Sequence, residues 1–249
     1  MRDIGGEGRE IEKEMKSCLF IEWSWVNQSV NQSIDQSINQ SINQSILGSG
    51  KTSWVENLIK NQDYLLEVPA KRIFFFYTEI NPIIQRISEL DKVEAIKNFN
   101  PDILDGHEGG SANHIMIIVD DHLNFDGIHK ELAKLFTVTS RAKFVSLVYL
   151  TQALYSKSRG AHAYNRQILL NSNYTALFPN KRDMSEAGAI ARAGFLHRYK
   201  YFMESYKSAT ELEHGYLFIS SDPTTKKEVE LRSRIFFEIE HTILYWERE

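Results

Sequence analysis

The sequence predicts an α/β fold, in the form of a mostly parallel sheet with helices on both faces. Short apolar runs alternate with segments of helical character along most of the chain. A glycine-rich loop at 48–52 leads straight into one such segment, and the apolar run at 115–119 ends in two aspartates. Strands that alternate with helices favour a parallel sheet that is covered on both sides.

The individual elements follow from local patterns of residue types. Apolar, β-branched and aromatic residues predict strands at 72–77, 115–119, 144–150, 174–178 and 215–219. Helices are predicted at 52–60, 128–136 and 184–193. The segment 81–97 is mixed and helical in part, and 106–111 is a polar, glycine-rich loop.

Length and composition set limits on the class of protein. The chain has 249 residues, of which 42% are hydrophobic, enough for one sizeable core. The single cysteine, Cys18, excludes an internal disulfide and fits a reducing compartment. No apolar run approaches the ~18 residues that a bilayer requires, and the start lacks the order of a signal peptide. We expect a soluble intracellular protein without a membrane partner, and the nucleus and the cytoplasm both remain open.

Charge is distributed unevenly along the chain. The net charge is −4, yet residues 141–200 hold ten Lys and Arg and only two acidic residues. That window therefore carries +8 and the remainder −12. A basic region in an acidic protein suggests a polyanionic partner, such as nucleic acid or the nucleotide of a neighbouring subunit. The alternative is a set of solvated helix faces.

Four regions are predicted along the chain. Residues 1–26 have no predicted structure, and 27–46 are five tetrads of Asn or Asp, Gln, Ser and then Val or Ile. An apolar residue at every fourth position matches neither a helical stripe nor strand alternation, so this tract predicts low-complexity sequence without a fold of its own. The folded domain is expected at 47–235, and 236–249 form a C-terminal tail.

The glycine-rich loop consists of Gly48, Ser49, Gly50, Lys51 and Thr52, the residue types of a phosphate-binding loop. Glycines allow backbone N–H groups to turn inward, and a helix N-terminus adds positive potential. Lys51 is expected to reach the β- and γ-phosphates of a nucleotide, and the Thr52 hydroxyl to bind Mg²⁺. A chance Gly-Ser-Gly turn is the alternative.

Upstream of this loop the pattern is incomplete. The full pattern has a glycine six positions before the lysine, but Ser45 stands there, inside the repeat. The apolar strand that should precede the loop is also missing. We therefore expect a sheet without its central strand, and poor nucleotide affinity as a consequence.

Asp120 and Asp121 should emerge at the carboxyl end of the strand 115–119. Asp120 suits water-mediated binding of Mg²⁺, and Asp121 suits orienting or deprotonating an attacking water. The start of a loop or a helix cap are the alternatives. Together with the glycine-rich loop, this pair predicts a protein that hydrolyses a nucleoside triphosphate.

Further candidates follow the next strand. Gln152 is placed to contact the γ-phosphate or to hold the attacking water, although an ordinary strand-terminal amide explains it too. An arginine, often from a neighbouring subunit, stabilises charge on a transferring phosphoryl group. Arg141, Arg166 and Arg182 are candidates that the sequence does not rank.

No Cys/His cluster has the spacing of metal ligands, and Cys18 is not expected to be a nucleophile. Five histidines are expected to be scattered surface or loop residues, namely His107, His114, His122, His129 and His162.

From Gly48 onward, the order of motifs resembles that of the genome-packaging ATPases of Polinton/Maverick elements and related large DNA viruses, in the FtsK–HerA superfamily. The resemblance covers about 190 residues. The segments that carry it are 48–55, 72–79, 117–123, 135–140, 145–155, 166–171, 174–183 and 231–235.

This resemblance implies a RecA-like P-loop domain that assembles into a homo-oligomeric ring and uses ATP and Mg²⁺ to move double-stranded DNA into a capsid. Capsid proteins of the same element are then partners. The resemblance also implies a role for each site residue. Phosphate is bound by Gly48, Ser49, Gly50, Lys51, Thr52 and Ser53, and the metal by Thr52 and Asp120. Asp121 activates the water, Gln152 contacts the γ-phosphate, and Arg166 or Arg182 contacts the nucleotide of the adjoining subunit.

The chain departs from that family in two places. Ser, Ile and Leu at 45–47 replace the glycine with which the family's loop begins, and the tetrad repeat replaces the strand that precedes the loop. Two other classes therefore stay open. One is a non-catalytic relic or interaction protein that keeps the fold, and the other is a cellular P-loop NTPase of different purpose.

Overall fold

The computed structural model describes residues 17–22, 50–120, 128–151, 159–179, 184–236 and 241–247. Within those residues, one sheet is formed by β1 (Ser17–Glu22), β2 (Arg72–Tyr77), β3 (Val93–Lys97), β4 (Ile115–Asp120), β5 (Val145–Leu150), β6 (Tyr174–Phe178), β7 (Leu217–Ser220), β8 (Leu231–Ser233) and β9 (Ile243–Leu244). The order across the sheet is β3-β2-β4-β5-β1-β6-β7-β8-β9. The tetrad repeat at 27–46 lies outside the described residues.

The α-helices are α1 (Lys51–Lys60), α2 (Gln62–Leu65), α3 (Pro82–Ser88), α4 (Ile128–Lys134), α5 (Ser140–Lys143), α6 (Arg159–Asn171), α7 (Ser185–Gly194) and α8 (Tyr199–Ala209). A π-helical segment, Leu135–Thr139, joins α4 to α5. Short 3₁₀ turns lie at Pro101–Leu104, Ser111–Asn113, Leu196–Arg198 and Lys227–Val229. Among the helices in the described ranges, none has the length and apolar character needed to cross a membrane.

Strands β3, β2, β4 and β5 run parallel, and helices flank this four-stranded unit, as the α/β prediction requires. Both β4 and β5 are buried along their whole length, which explains why they read as continuous apolar runs and not as alternating patterns. In β2 the side chains alternate: Phe74 and Phe76 belong to the core on one face, and Ile73 and Phe75 to the core on the other.

Helices cover both faces of the sheet, as predicted. On one face α1 and α3 contribute Leu58 and Ile84 to a core that includes Phe75. On the other face α4, α6, α7 and α8 pack, with Ile168 and Phe202 in the core. The glycine-rich turn before α1 therefore lies on the opposite side of the sheet from α6 and α8.

The centre of the sheet differs from the prediction. We expected the central strand to be missing, but β1 lies there, antiparallel to both neighbours, with Leu19 opposite Leu150 of β5 and Ala176 of β6. Strands β6 to β9 are also antiparallel to one another. The prediction of a mostly parallel sheet is thus correct for four strands only. A segment from upstream in the chain can fill the centre of the sheet in either direction, because the backbone can pair in both the parallel and the antiparallel sense.

Most predicted elements match the structure within about two residues, the ordinary uncertainty of helix and strand ends. The segment 81–97 is instead divided between α3 and β3. The helix begins there because the Asn81 side chain accepts hydrogen bonds from the backbone N–H of Ile83 (2.9 Å) and Ile84 (3.0 Å), and Pro82 occupies the first helical position. The predicted helix at 128–136 changes to π-helical geometry at Leu135.

Candidate functional site

The site is built around the start of α1. Gly50 precedes the helix with φ of +79°, a left-handed conformation that glycine adopts without steric cost. Its carbonyl oxygen accepts the first helical hydrogen bond, from Trp54 N at 2.8 Å. No acidic residue lies in the first turn of the helix. The N–H groups of a first turn have no intrahelical acceptors, so this end of α1 suits an anion.

Lys51 brings a cation to the same place. Its side chain is only 6% exposed, and Nζ donates a hydrogen bond to the backbone carbonyl oxygen of Thr151 at 3.2 Å. Thr151 directly follows β5. The ammonium group therefore lies at the carboxyl end of β5, where a buried positive charge attracts phosphate more strongly than an exposed one does.

Thr52 and Asp120 meet at the end of the adjacent strand. Asp120 is the last residue of β4 and is buried, and its Oδ2 lies 3.4 Å from Oγ1 of Thr52, which donates to it. Since β4 and β5 are parallel neighbours, with Asp120 opposite Leu150, their carboxyl ends lie at one edge of the sheet. The turn before α1 reaches that edge, which brings an amine, a hydroxyl and a carboxylate together.

The Thr52 hydroxyl and Asp120 carboxylate oxygens are atoms of the type that binds Mg²⁺. Mg²⁺ prefers hard oxygen ligands and usually keeps several waters or takes phosphate oxygens in its other positions. No group of three or more His, Cys, Asp or Glu suited to a metal occurs in the described part of the chain. A site with two protein ligands, completed by water and phosphate, does not need such a group.

Buried aromatic packing fixes the orientation of α1. Trp54 lies one turn into the helix and makes an edge-to-face contact with Tyr216, at 5.9 Å between ring centroids, and stacks on Phe218 at 6.4 Å. Phe236 contacts it at 5.2 Å. Because aromatic pairs of this kind stabilise beyond their buried area, the start of α1 is held against the residues that lead into β7.

A second anchor joins α1 to α3. The Glu56 carboxylate, 8% exposed, accepts hydrogen bonds from Arg86 Nη2 at 2.8 Å and from Lys60 Nζ at 2.7 Å. Burial alone would raise the pKa of Glu56, but the hydrogen bonds from Arg86 and Lys60 outweigh it and hold that pKa below 4.5.

The predicted site residues divide into three groups. Gly50, Lys51, Thr52 and Asp120 come together, and Ser53 lies in the first turn of α1. Arg166 is exposed on α6, on the other face of the sheet, so it is not part of this cluster within one molecule. The remaining predicted residues lie outside the described ranges, namely Gly48, Ser49, Asp121, Gln152 and Arg182.

One histidine differs from the prediction that it is a surface or loop residue. His129 is buried in α4. His114 lies in the loop before β4, as predicted, but it is buried, with Nδ1 donating to the Val68 carbonyl oxygen at 2.6 Å and Nε2 accepting from Ser146 Oγ at 2.9 Å. Burial lowers the pKa of His114 below 6.5 despite its carbonyl acceptors, which fits a neutral structural histidine.

His214 is a residue at this site that the sequence reasoning missed. Its Nδ1 lies 3.1 Å, and its Cβ 3.3 Å, from the position that a Cβ atom on Gly50 would take. The imidazole therefore packs against the turn before α1. No local motif marks His214, because the contact joins residues that are far apart in the sequence.

Comparisons of the chain with protein-family models, with curated proteins and with solved structures found no match. The geometry of the site and the resemblance in motif order therefore carry the functional assignment.

Proposed function

We propose that this protein is a P-loop ATPase with a RecA-like domain that moves double-stranded DNA, in the manner of the packaging ATPases that its motif order resembles. The observation that supports this most is the convergence of Lys51, Thr52 and Asp120 at the carboxyl edge of the parallel strands. Ligands of open α/β sheets bind at this edge. A cation next to a hydroxyl–carboxylate pair is what Mg²⁺-nucleotide binding requires.

Each residue has a distinct part in this proposal. The first-turn N–H groups of α1 and the Lys51 ammonium hold the phosphates, and Thr52 and Asp120 hold Mg²⁺. When bound, Mg²⁺ neutralises charge on the phosphate oxygens. Asp121 and Gln152 follow Asp120 and Thr151 in the chain, and the proposal assigns them the attacking water and the γ-phosphate.

The proposal of DNA as a partner draws on charge. The +8 window at 141–200 includes Arg192 and Lys200, both exposed. Basic residues that neutralise backbone phosphates supply sequence-independent affinity, which a translocating motor needs. Capsid proteins are proposed as partners on the resemblance alone.

A ring is proposed from the surface near Arg166. Leu170 lies four residues further along α6 and is 61% exposed, and Val138 on the neighbouring π-helical segment is also 61% exposed. Residues four apart share one face of a helix, so the arginine lies beside an apolar surface. If a neighbouring subunit packs on this surface, Arg166 lies close to the nucleotide that the neighbour binds.

The test measures ATP binding and phosphate release by the full chain, with Mg²⁺ and with or without duplex DNA. We expect DNA-stimulated hydrolysis, and a loss of at least about 100-fold in rate for Lys51→Ala and Asp120→Asn. The exposed residues Lys207 and Asp91 provide matched controls, and Lys207→Ala and Asp91→Asn should leave the rate unchanged.

Three other results would contradict the proposal in different ways. Binding without hydrolysis favours the non-catalytic relic. Hydrolysis that DNA does not stimulate favours a P-loop NTPase of another purpose. A chain that binds no nucleotide in the presence of Mg²⁺ removes the ATPase assignment altogether.

A further inference from the structure

The imidazole of His214 forms one wall of the turn that precedes α1. Its Nδ1, Cβ and Cγ atoms lie 3.1, 3.3 and 3.5 Å from the position of a Cβ on Gly50, so they border the space that a side chain at position 50 would need. Any side chain at position 50 would meet the ring and would also strain the left-handed backbone.

Two features hold the ring in this place. The turn that carries it is closed by a hydrogen bond from Gly215 N to the Leu212 carbonyl oxygen at 3.0 Å, and His214 has a φ of +67°. Directly after the turn, Tyr216 is buried against Trp54 of α1. The 212–216 turn is thereby closed on itself and fixed to α1 next to the position where His214 meets Gly50.

The ring also has unused hydrogen-bonding capacity. Within the described ranges the ring has no hydrogen bond, and its Nε2 lies 4.0 Å from Oε1 of Glu213, which is too long for one. The His214 side chain is 50% exposed and the Glu213 side chain 86% exposed. The imidazole is therefore half exposed beside the N-terminus of α1 and has no hydrogen-bond acceptor among the described residues.

We propose that His214 is a nucleotide-contacting residue that donates a hydrogen bond from its imidazole to the polyphosphate seated on the Gly50 turn. This inference depends on the proposed nucleotide site. An imidazole carries at least one N–H in either protonation state, and a phosphate oxygen is a charged acceptor. The ligand class is a nucleoside di- or triphosphate, recognised here through its phosphates and not through its base.

The test compares variants that separate ring packing from the N–H donor. His214→Phe keeps a ring against Gly50 but has no donor, whereas His214→Gln keeps a donor. A hydrogen bond to a charged group contributes more binding free energy than one between neutral groups. We therefore expect His214→Phe to weaken binding of both Mg-ATP and Mg-tripolyphosphate by about tenfold to 100-fold. His214→Gln should recover most of that loss.

The matched control is His197→Phe. His197 is exposed in the 3₁₀ turn before α8, whereas His214 lies beyond the other end of that helix. This control should leave both affinities unchanged. Thermal unfolding of each variant verifies that the fold is retained, and Lys51→Ala shows that binding occurs at the proposed site.

Two results would overturn the His214 contact while leaving the proposed function intact. One is unchanged affinity in His214→Phe when Lys51→Ala abolishes binding. The other is weaker ATP binding with unchanged tripolyphosphate binding, because the ring would then contact the base. Wild-type protein that binds neither ligand would instead contradict the proposed function, and the His214 inference with it.

Discussion

Glu56 illustrates, at the scale of a single residue, how a carboxylate near the site contributes to stability. It lies on α1 and accepts hydrogen bonds from Arg86 of α3 and from Lys60. Arg86 is 46% exposed, so solvent screens part of the attraction. Removal of the charge by Glu56→Gln should therefore cost only about 1–2 kcal/mol at neutral pH.

The pH dependence of that contribution follows from the lowered pKa of Glu56. A carboxyl group whose pKa is lower in the folded state contributes stability above its unfolded value of 4.5, and loses it as pH falls through the folded value. The difference in unfolding free energy between wild type and Glu56→Gln should be largest at pH 7 and shrink below pH 4.5. Urea denaturation across this range measures it.

The control for this prediction is Glu94→Gln. Glu94 forms an ion pair with Arg72 at 3.0 Å in which both side chains are more than half exposed. Such a pair contributes little, so its removal should leave the unfolding free energy nearly unchanged at every pH. Arg86 donates to both carboxylate oxygens of Glu56. An equal effect from both substitutions would show that this bidentate contact contributes no more stability than the exposed ion pair does.

The sequence was informative about residues whose partners lie in a recognisable local pattern. Lys51 and Thr52 follow glycines at the start of a helix, and Asp120 ends an apolar strand, so their types and positions indicated the cluster that the structure forms. The contact of His214 with Gly50 could not be predicted, because it depends on how the turn before β7 packs on α1.

At the scale of elements, the buried strands of the parallel half were the most predictable. β4 and β5 are continuous apolar runs because both of their faces are covered. β3 was missed because it lies at the edge of the sheet and is only partly buried, so its pattern is weak. α8 was missed although Phe202, Tyr206 and Ala209 have helical spacing and are buried.

β1 is the element that joins the two halves of the sheet. It pairs with β5 on one side and β6 on the other, so its backbone supplies the hydrogen bonds between the parallel and the antiparallel strands. Sequence reasoning gave this segment no structure, because six residues upstream of a low-complexity repeat carry little pattern. Its place in the sheet depends on partners from distant parts of the chain.

Proline in β1 should therefore damage the fold strongly. Phe20→Pro removes a backbone donor from a strand that is paired on both sides, which costs about 3 kcal/mol or more. The control is Ile243→Pro in β9, which among the described strands lies at the edge and pairs with β8 alone, so the loss should be smaller. Urea denaturation compares the two variants. Equal losses, or no loss in Phe20→Pro, would contradict a structural part for β1.

At the scale of the whole molecule, the two faces of the sheet have different proposed tasks. The face with α1 carries the cluster of Lys51, Thr52 and Asp120. The face with α6 carries Arg166 beside the exposed Leu170 and Val138. In a ring, a head-to-tail contact brings one face of a subunit against a different face of the next, so Arg166 can serve a neighbour's nucleotide without reaching its own.

This arrangement predicts complementation between two inactive variants. Arg166→Ala should bind ATP normally but lose most hydrolysis, and Lys51→Ala should lose binding. When the two are mixed in equal amounts and allowed to exchange subunits, an Arg166→Ala subunit with an intact Lys51 receives an intact Arg166 from a Lys51→Ala neighbour. About a quarter of the sites should then be complete, so phosphate release should rise well above the sum of the separate variants.

Arg72→Ala provides the matched control, because Arg72 is an exposed arginine on β2, outside the basic window at 141–200. This variant should hydrolyse ATP at the wild-type rate by itself. Mixtures of Arg166→Ala and Lys51→Ala that stay inactive, although size measurements show mixed oligomers, would contradict an action of Arg166 across subunits. Arg182 would then be the next arginine to test, because the same resemblance assigns it the same role.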